Sequence, residues 1–153
     1  MRYSRDMRIA LGSDMKGELP ETIERWLRAH GHDVKRFGAL AADATPDEQA
    51  WTAVGRAVGE AVAGGRADYG VLCCWTGTGV SMAANKVPGI RAALCADPQT
   101  AAGAREWNDA NVLCVSLRAT APPVADEMLE AWFAAAPTAE PAYRAMIDEI
   151  RAR

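Results

Sequence analysis

The chain has 153 residues but only two histidines and two phenylalanines. His30 and His32 stand together at a helix end with no motif around them, so neither is read as catalytic. No apolar run reaches the ~18 residues of a membrane span. The N-terminal MRYSRDMR is charged and has no long apolar core of a signal peptide, so the expected location is cytoplasmic, without a membrane partner. A formal net charge of −3 provides no broad basic field, which argues against a nucleic-acid partner. The four cysteines, Cys73, Cys74, Cys95 and Cys114, include no CxxC spacing, so neither a disulfide framework nor a metal centre is expected. Internal repeats and low-complexity segments are also missing.

What is present is an alternation of strand and helix patterns. Met7 to Gly12 reads as a first buried strand ending in Ser13 and Asp14. Leu19, Ile23, Trp26 and Leu27 then recur at helical spacing up to His30-Gly31. Asp33–Gly38 is a second strand, and Thr45-Pro46-Asp47-Glu48 resembles a helix start with proline just inside, carried on by Val54, Val58 and Val62. Strands follow at Tyr69–Cys74, Ala92–Cys95 and Val112–Val115, with helices at Pro98–Trp107, Val124–Ala135 and Tyr143–Ile150. Pro137 and Pro141 are read as breaks before the last helix. This order predicts an α/β fold: a Rossmann-like three-layer arrangement with a five-stranded parallel sheet and helices on both faces. Residues 1–6 are read as an N-terminal extension and 7–153 as a single domain.

The stretch VLCCWTGTGVSMAANKVPGIR, residues 71–91, carries the chemistry. It runs from a strand through a turn with Gly77 and Gly79 into a small-residue segment able to open a helix. Free N–H groups at a helix start attract negative charge and favour a thiolate, which makes Cys74 a candidate base. Cys73, adjacent on the strand, points to the opposite face. In an open parallel sheet the loops after the first, third and fifth strands come to one edge, so Asp14, the 75–79 loop and Arg118 are expected neighbours. A carboxylate, a thiol, a glycine-rich cradle and an arginine suit proton transfer beside a phosphorylated small molecule. The competing reading of these residues is a nucleotide- or phosphate-binding module with a structural cysteine.

CCWTGTGVSMAANKVPGIRAAL, followed by REWNDANVL and preceded by IALGSDMKG, resembles the ribose-5-phosphate isomerase B family, which includes the two subunits of galactose-6-phosphate isomerase. The resemblance implies a dimer with active sites at the subunit interface, with a tetramer as a further possibility. It also implies interconversion of an aldose phosphate and its ketose through a cis-enediol, without metal or organic cofactor. Cys74 matches the family's proton-abstracting cysteine, and the loop Thr76, Gly77, Thr78, Gly79 to Ser81 matches its anion hole. Asp14 matches a substrate-contacting aspartate, Asn108 an asparagine that binds sugar hydroxyls, and Arg118 and Arg144 fall where the family has phosphate-binding arginines.

The departures are specific. Met15 and Trp107 stand where the family has histidines, Trp75 replaces a glycine, and Ala50-Trp51-Thr52 replaces an Asp-Tyr-Pro. An indole N–H only donates a hydrogen bond, so Trp107 cannot shuttle the proton that opens a sugar ring. A tetrose 4-phosphate cannot close a furanose, because the oxygen that would close it carries the phosphate. The expectation is a four-carbon or open-chain substrate such as erythrulose 4-phosphate, with Met15, Trp75 and Trp107 lining the site. The alternative is a non-catalytic or specialised subunit, or a sugar-phosphate-binding protein of the same fold. Trp26, Trp51 and Trp132 are read as packing residues, Asn85-Lys86 as a helix cap, Pro88-Gly89 as a turn, and Arg91 and Arg105 as solvated.

Overall fold

The computed structural model describes residues 6–151 and 153, so residues 1–5 of the expected N-terminal extension lie outside the described residues. Five strands, β1 (Arg8–Ser13), β2 (Asp33–Gly38), β3 (Tyr69–Cys74), β4 (Ala92–Leu94) and β5 (Val112–Ser116), form one sheet in the order β2-β1-β3-β5-β4. Every pairing is parallel. The helices are α1 (Glu18–Ala29), α2 (Trp51–Ala63), α3 (Thr78–Asn85), α4 (Pro98–Asn108), α5 (Pro122–Ala134) and α6 (Pro141–Arg151).

Alternation along each strand sorts the side chains into two cores. Ile9, Leu11, Val71, Cys73, Leu113 and Val115 pack under α1, α4 and α5. Ala10, Leu72, Cys74, Val112 and Cys114 pack under α2 and α3. The expected three-layer α/β fold is therefore the observed one, and the two adjacent cysteines of β3 do face opposite layers. None of the helices among the described residues is long and apolar enough to cross a membrane.

Several local expectations need correction. Thr45 and Glu48 form a reciprocal capping pair, Thr45 N–H to Glu48 Oε2 at 2.9 Å and Glu48 N–H to Thr45 Oγ1 at 3.3 Å. That pair closes on a single 3-10 turn, Asp47–Gln49, and α2 begins separately at Trp51. Pro141 starts α6 instead of breaking the chain before it, in keeping with proline's tolerance of a first helical turn. Asn85 does not cap α3 with its side chain: its amide pairs with both backbone groups of Ala92, at 2.8 and 3.0 Å, and so ties α3 to the edge strand β4.

Candidate active site

β1 and β3 lie side by side, yet the chain leaves β1 for β2 on one side and β3 for β4 on the other. A crevice outside the carboxyl ends of the strands opens at such a switch point. Ser13 is level with Cys73, and Cys74 with Ser116, so the loops after β1, β3 and β5 leave the sheet at one edge.

Gly77 caps α3 in the left-handed region at φ 77°. A β-carbon there would stand 2.5 Å from Leu94 Cδ1 and 3.0 Å from the Val115 carbonyl carbon, so both conformation and space demand glycine. The turn aims the first N–H groups of α3, on Thr78, Gly79 and Val80, away from any intrahelical partner, and they carry the positive end of the helix dipole. Ser81 N–H reaches back to Gly77 O, and the Thr76 and Thr78 hydroxyls lie 2.7 Å apart beside these donors. The Ser81 hydroxyl is close enough to the Cys114 thiol to offset part of the rise that burial causes there.

Cys74 ends β3 immediately before this cradle. It is 5% exposed, whereas Cys73, Cys95 and Cys114 are 0%, 1% and 0% exposed. Burial pushes the Cys73 thiol up to about 12 and that of Cys95 up to about 11, and raises Cys114 further still. Those three stay protonated near neutral pH. Cys74, also buried, is the least enclosed of the four.

Asp14 stands at the same edge, half-buried, close enough to the Cys73 thiol to help raise it. Desolvation lifts the Asp14 carboxyl above its usual range, and its Oδ1 is buried without a hydrogen-bond partner among the described residues. That leaves one acceptor unsatisfied in the wall of the crevice. Met15, held by its N–H and carbonyl to Ser13 Oγ at 3.2 and 2.6 Å, is an exposed apolar residue of this rim. Trp75 is exposed as well, and its carbonyl accepts Arg118 N–H and Ser116 Oγ, both at 3.0 Å. Leu117 N–H bonds Cys74 O at 3.0 Å, so the loop carrying Arg118 is stitched to the cysteine loop.

Trp51, read from sequence as packing, belongs here too. Its indole lies on Gly79, where an added β-carbon would come within 2.8 Å of Cε3, and the ring stays nearly half exposed. Helical spacing cannot distinguish such a residue from a core one; the available signals are its place at the start of α2 and its position in the Ala50-Trp51-Thr52 that replaces the family's Asp-Tyr-Pro.

Trp107, Asn108 and Arg144 are not brought to this edge within one chain. Arg91, just before β4, donates from Nε to Asp109 O at 2.7 Å, so the last turn of α4 lies by the amino ends of the strands. Trp107 there folds back over Gly103, and Arg144 is exposed on α6. The chain thus presents two sets of expected site residues: Asp14, Met15, Cys74 to Gly79 and Arg118 at one edge, and Trp107, Asn108 and Arg144 elsewhere.

The chain matches the family model described as Ribose/Galactose Isomerase over residues 9–150. It is 47% identical over 75 residues to ribose-5-phosphate isomerase B of Escherichia coli, covering 49% of this chain and 50% of that enzyme. It is 35% identical over 125 residues to D-erythrulose-4-phosphate isomerase of Pectobacterium atrosepticum, covering 81% of this chain and 80% of that one. Type B ribose 5-phosphate isomerase of Trypanosoma brucei superposes with a TM-score of 0.86 at 34% identity, covering 97% of this chain and 99% of that one. The Clostridium thermocellum ribose-5-phosphate isomerase B superposes at 0.85 with 35% identity, covering 95% of each chain. On this match of sequence and fold along nearly its whole length, the chain belongs to the ribose/galactose isomerase family.

Proposed function

We propose that this chain is a sugar-phosphate aldose–ketose isomerase that works through a cis-enediolate with Cys74 as its base. The observation that carries the reading is the position of Cys74, the least enclosed of the four thiols, at the end of β3 directly before the free N–H groups of α3. The Cys74 thiolate takes the proton from the carbon beside the substrate carbonyl, and the electron pair moves onto the carbonyl oxygen. The α3 donors and the Thr76–Thr78 hydroxyl pair hold that oxyanion, in a place where fixed dipoles need no reorganisation. The Cys74 thiol then returns the proton to the neighbouring carbon, while the hydroxyl proton passes between the two oxygens. The Asp14 carboxyl group accepts a substrate hydroxyl, and Arg118 faces the phosphate.

The substrate follows from the rim. Met15, Trp51 and Trp75 put exposed apolar side chains around the crevice, and none of them can pass a proton to a ring oxygen. A substrate that needs no ring opening suits this site, and a four-carbon ketose or aldose 4-phosphate such as erythrulose 4-phosphate meets that condition. The relative named D-erythrulose-4-phosphate isomerase supports the same choice.

A second copy of the chain completes the site. Trp107, Asn108 and Arg144 lie away from Cys74 in their own chain, and the surface bearing them also exposes Leu94, Met146 and Ile150. In a homodimer this surface of one protomer closes the crevice of its partner. Steady-state turnover of tetrose, pentose and hexose phosphates by the purified chain tests the reading. Tetrose 4-phosphate is expected to be favoured, and ribose 5-phosphate turned over equally fast would refute the substrate choice. No turnover of any of them by the chain alone would favour a specialised subunit.

A further inference from the structure

Asp109 follows Asn108 and ends α4 in the left-handed region, at φ 46° and ψ 45°. Among the described residues only Asp43 is another non-glycine residue with positive φ. Three arginines from three parts of the chain meet at this residue. Arg105 of α4 donates to Oδ1 at 3.0 Å, and Arg151 of α6 donates to Oδ2 at 2.8 Å. Arg91, before β4, donates to the Asp109 carbonyl at 2.7 Å and stands 3.7 Å from Oδ2. Arg105 is also fixed from behind, bonded to Ala110 O and the Tyr69 hydroxyl at 2.7 Å each and lying over the Tyr69 and Trp132 rings. Arg91 and Arg105, which sequence leaves as solvated, are therefore largely buried around one carboxylate whose side chain is 20% exposed.

We propose that Asp109 is a positioning residue for the half of the active site that one protomer gives to its partner. This rests on the functional reading above and extends it to residues with no contact to the sugar. α6 is otherwise mostly exposed, with Ile147 its only buried residue, so the Arg151–Asp109 bond is its main polar anchor to α4. Arg144 precedes Arg151 by seven residues, two helical turns on the same face, so the angle at which α6 is held decides where the Arg144 guanidinium stands. Asn108 is positioned by the same carboxylate through the chain itself. One side chain thereby sets the sugar-hydroxyl ligand and the phosphate ligand in register. Asparagine would fit the left-handed backbone but would take the counter-charge away from Arg91 and Arg105 and leave Arg151 only Asp148 of its own helix.

Arg151→Ala removes the clamp at the exposed end of α6 and leaves the core intact. Amide exchange across Pro141–Ile150 is expected to speed up at least about tenfold, with the rest of the chain unchanged. The KM for erythrulose 4-phosphate is expected to rise about tenfold with kcat within about twofold, because a phosphate ligand held equally in ground and transition states has been displaced. In an Arg144→Ala background the same change is expected to leave KM where it stands, and Arg151→Lys to restore part of the loss. Asp109→Asn is expected to shift exchange and KM in the same direction and further. Unchanged exchange over α6 in both Arg151→Ala and Asp109→Asn overturns the clamp, whether or not the chain turns over any sugar phosphate. Additive effects of Arg144→Ala and Arg151→Ala on KM in an active enzyme overturn it as well. Failure of the functional reading shows separately, as a wild-type chain without turnover.

Discussion

Replacing Gly79 by alanine puts a methyl group against the Trp51 ring, 2.8 Å from Cε3 and 2.9 Å from Cδ2. Real side chains do not sit that close, so the indole must leave the amino end of α3 or the helix must shift. Overpacking of this kind costs ~1–3 kcal/mol. Alanine's preference for helix over glycine offsets up to ~1 kcal/mol of it. The net loss of roughly 0.5–2 kcal/mol corresponds to a melting temperature lower by roughly 1–8 °C for a chain of this size. The three nearest atoms to the new methyl all belong to Trp51, so the sign should invert when the ring is removed. In a Trp51→Ala background, Gly79→Ala is expected to raise the melting temperature by roughly 1–4 °C, as the helical preference alone remains. Calorimetric melts of the wild type, the two single variants and the double variant measure this, with turnover expected to fall in Gly79→Ala as the displaced indole disturbs the cradle. A Gly79→Ala effect of the same sign and size in both backgrounds would refute the placement of Trp51 on the anion loop.

His32 is buried and neutral, stacked 4.5 Å from Phe133, with Nδ1 accepting the Met7 N–H at 3.2 Å. Desolvation holds its pKa below that of the unfolded chain, so the folded state binds fewer protons and stability falls as pH drops through ~6.5. Urea unfolding at pH 5 and pH 7 should show this loss, and His32→Gln should flatten it. Asn85→Ala removes both bonds to Ala92 and is expected to cost ~0.5–1.5 kcal/mol in denaturant midpoint experiments, because the bonds are exposed and water can pair the freed backbone groups of the edge strand. If sites are shared between protomers, a mixture of inactive Cys74→Ala and inactive Asn108→Ala chains should regain turnover after subunit exchange, and no recovery would place each site within one chain.

Strand and helix patterns made the fold legible, because a parallel sheet covered on both faces needs apolar strands and amphipathic helices at regular intervals. β3, Tyr69–Cys74, matches its expected bounds, and the opposite orientation of Cys73 and Cys74 follows from strand geometry alone. The turn after β3 was legible for a similar reason: Gly77 marks a left-handed conformation that only a small set of local structures requires. Arg91 and Arg105 were misread because burial of a guanidinium depends on partners distant in sequence, Asp109 for Arg91 and Tyr69 for Arg105. Trp51 packs on α3 as expected, but its half-exposed ring was not legible, because a helix start looks the same whether its first side chain meets a core or a crevice. The capping pair of Thr45 and Glu48 was a genuine local signal attached to the wrong helix, since a 3-10 turn offers the same unpaired N–H groups as α2 does.

The central claim is that Cys74 moves the proton. Isomerisation of erythrulose 4-phosphate in heavy water, followed by proton NMR, tests it most directly, because the receiving carbon gains deuterium only when the base exchanges its proton with solvent during turnover. The wild-type chain and Cys73→Ala are expected to label that carbon, and Cys74→Ala to label it ~10²–10⁴ times more slowly, the usual contribution of a general base. Labelling by Cys74→Ala at the wild-type rate would contradict the account.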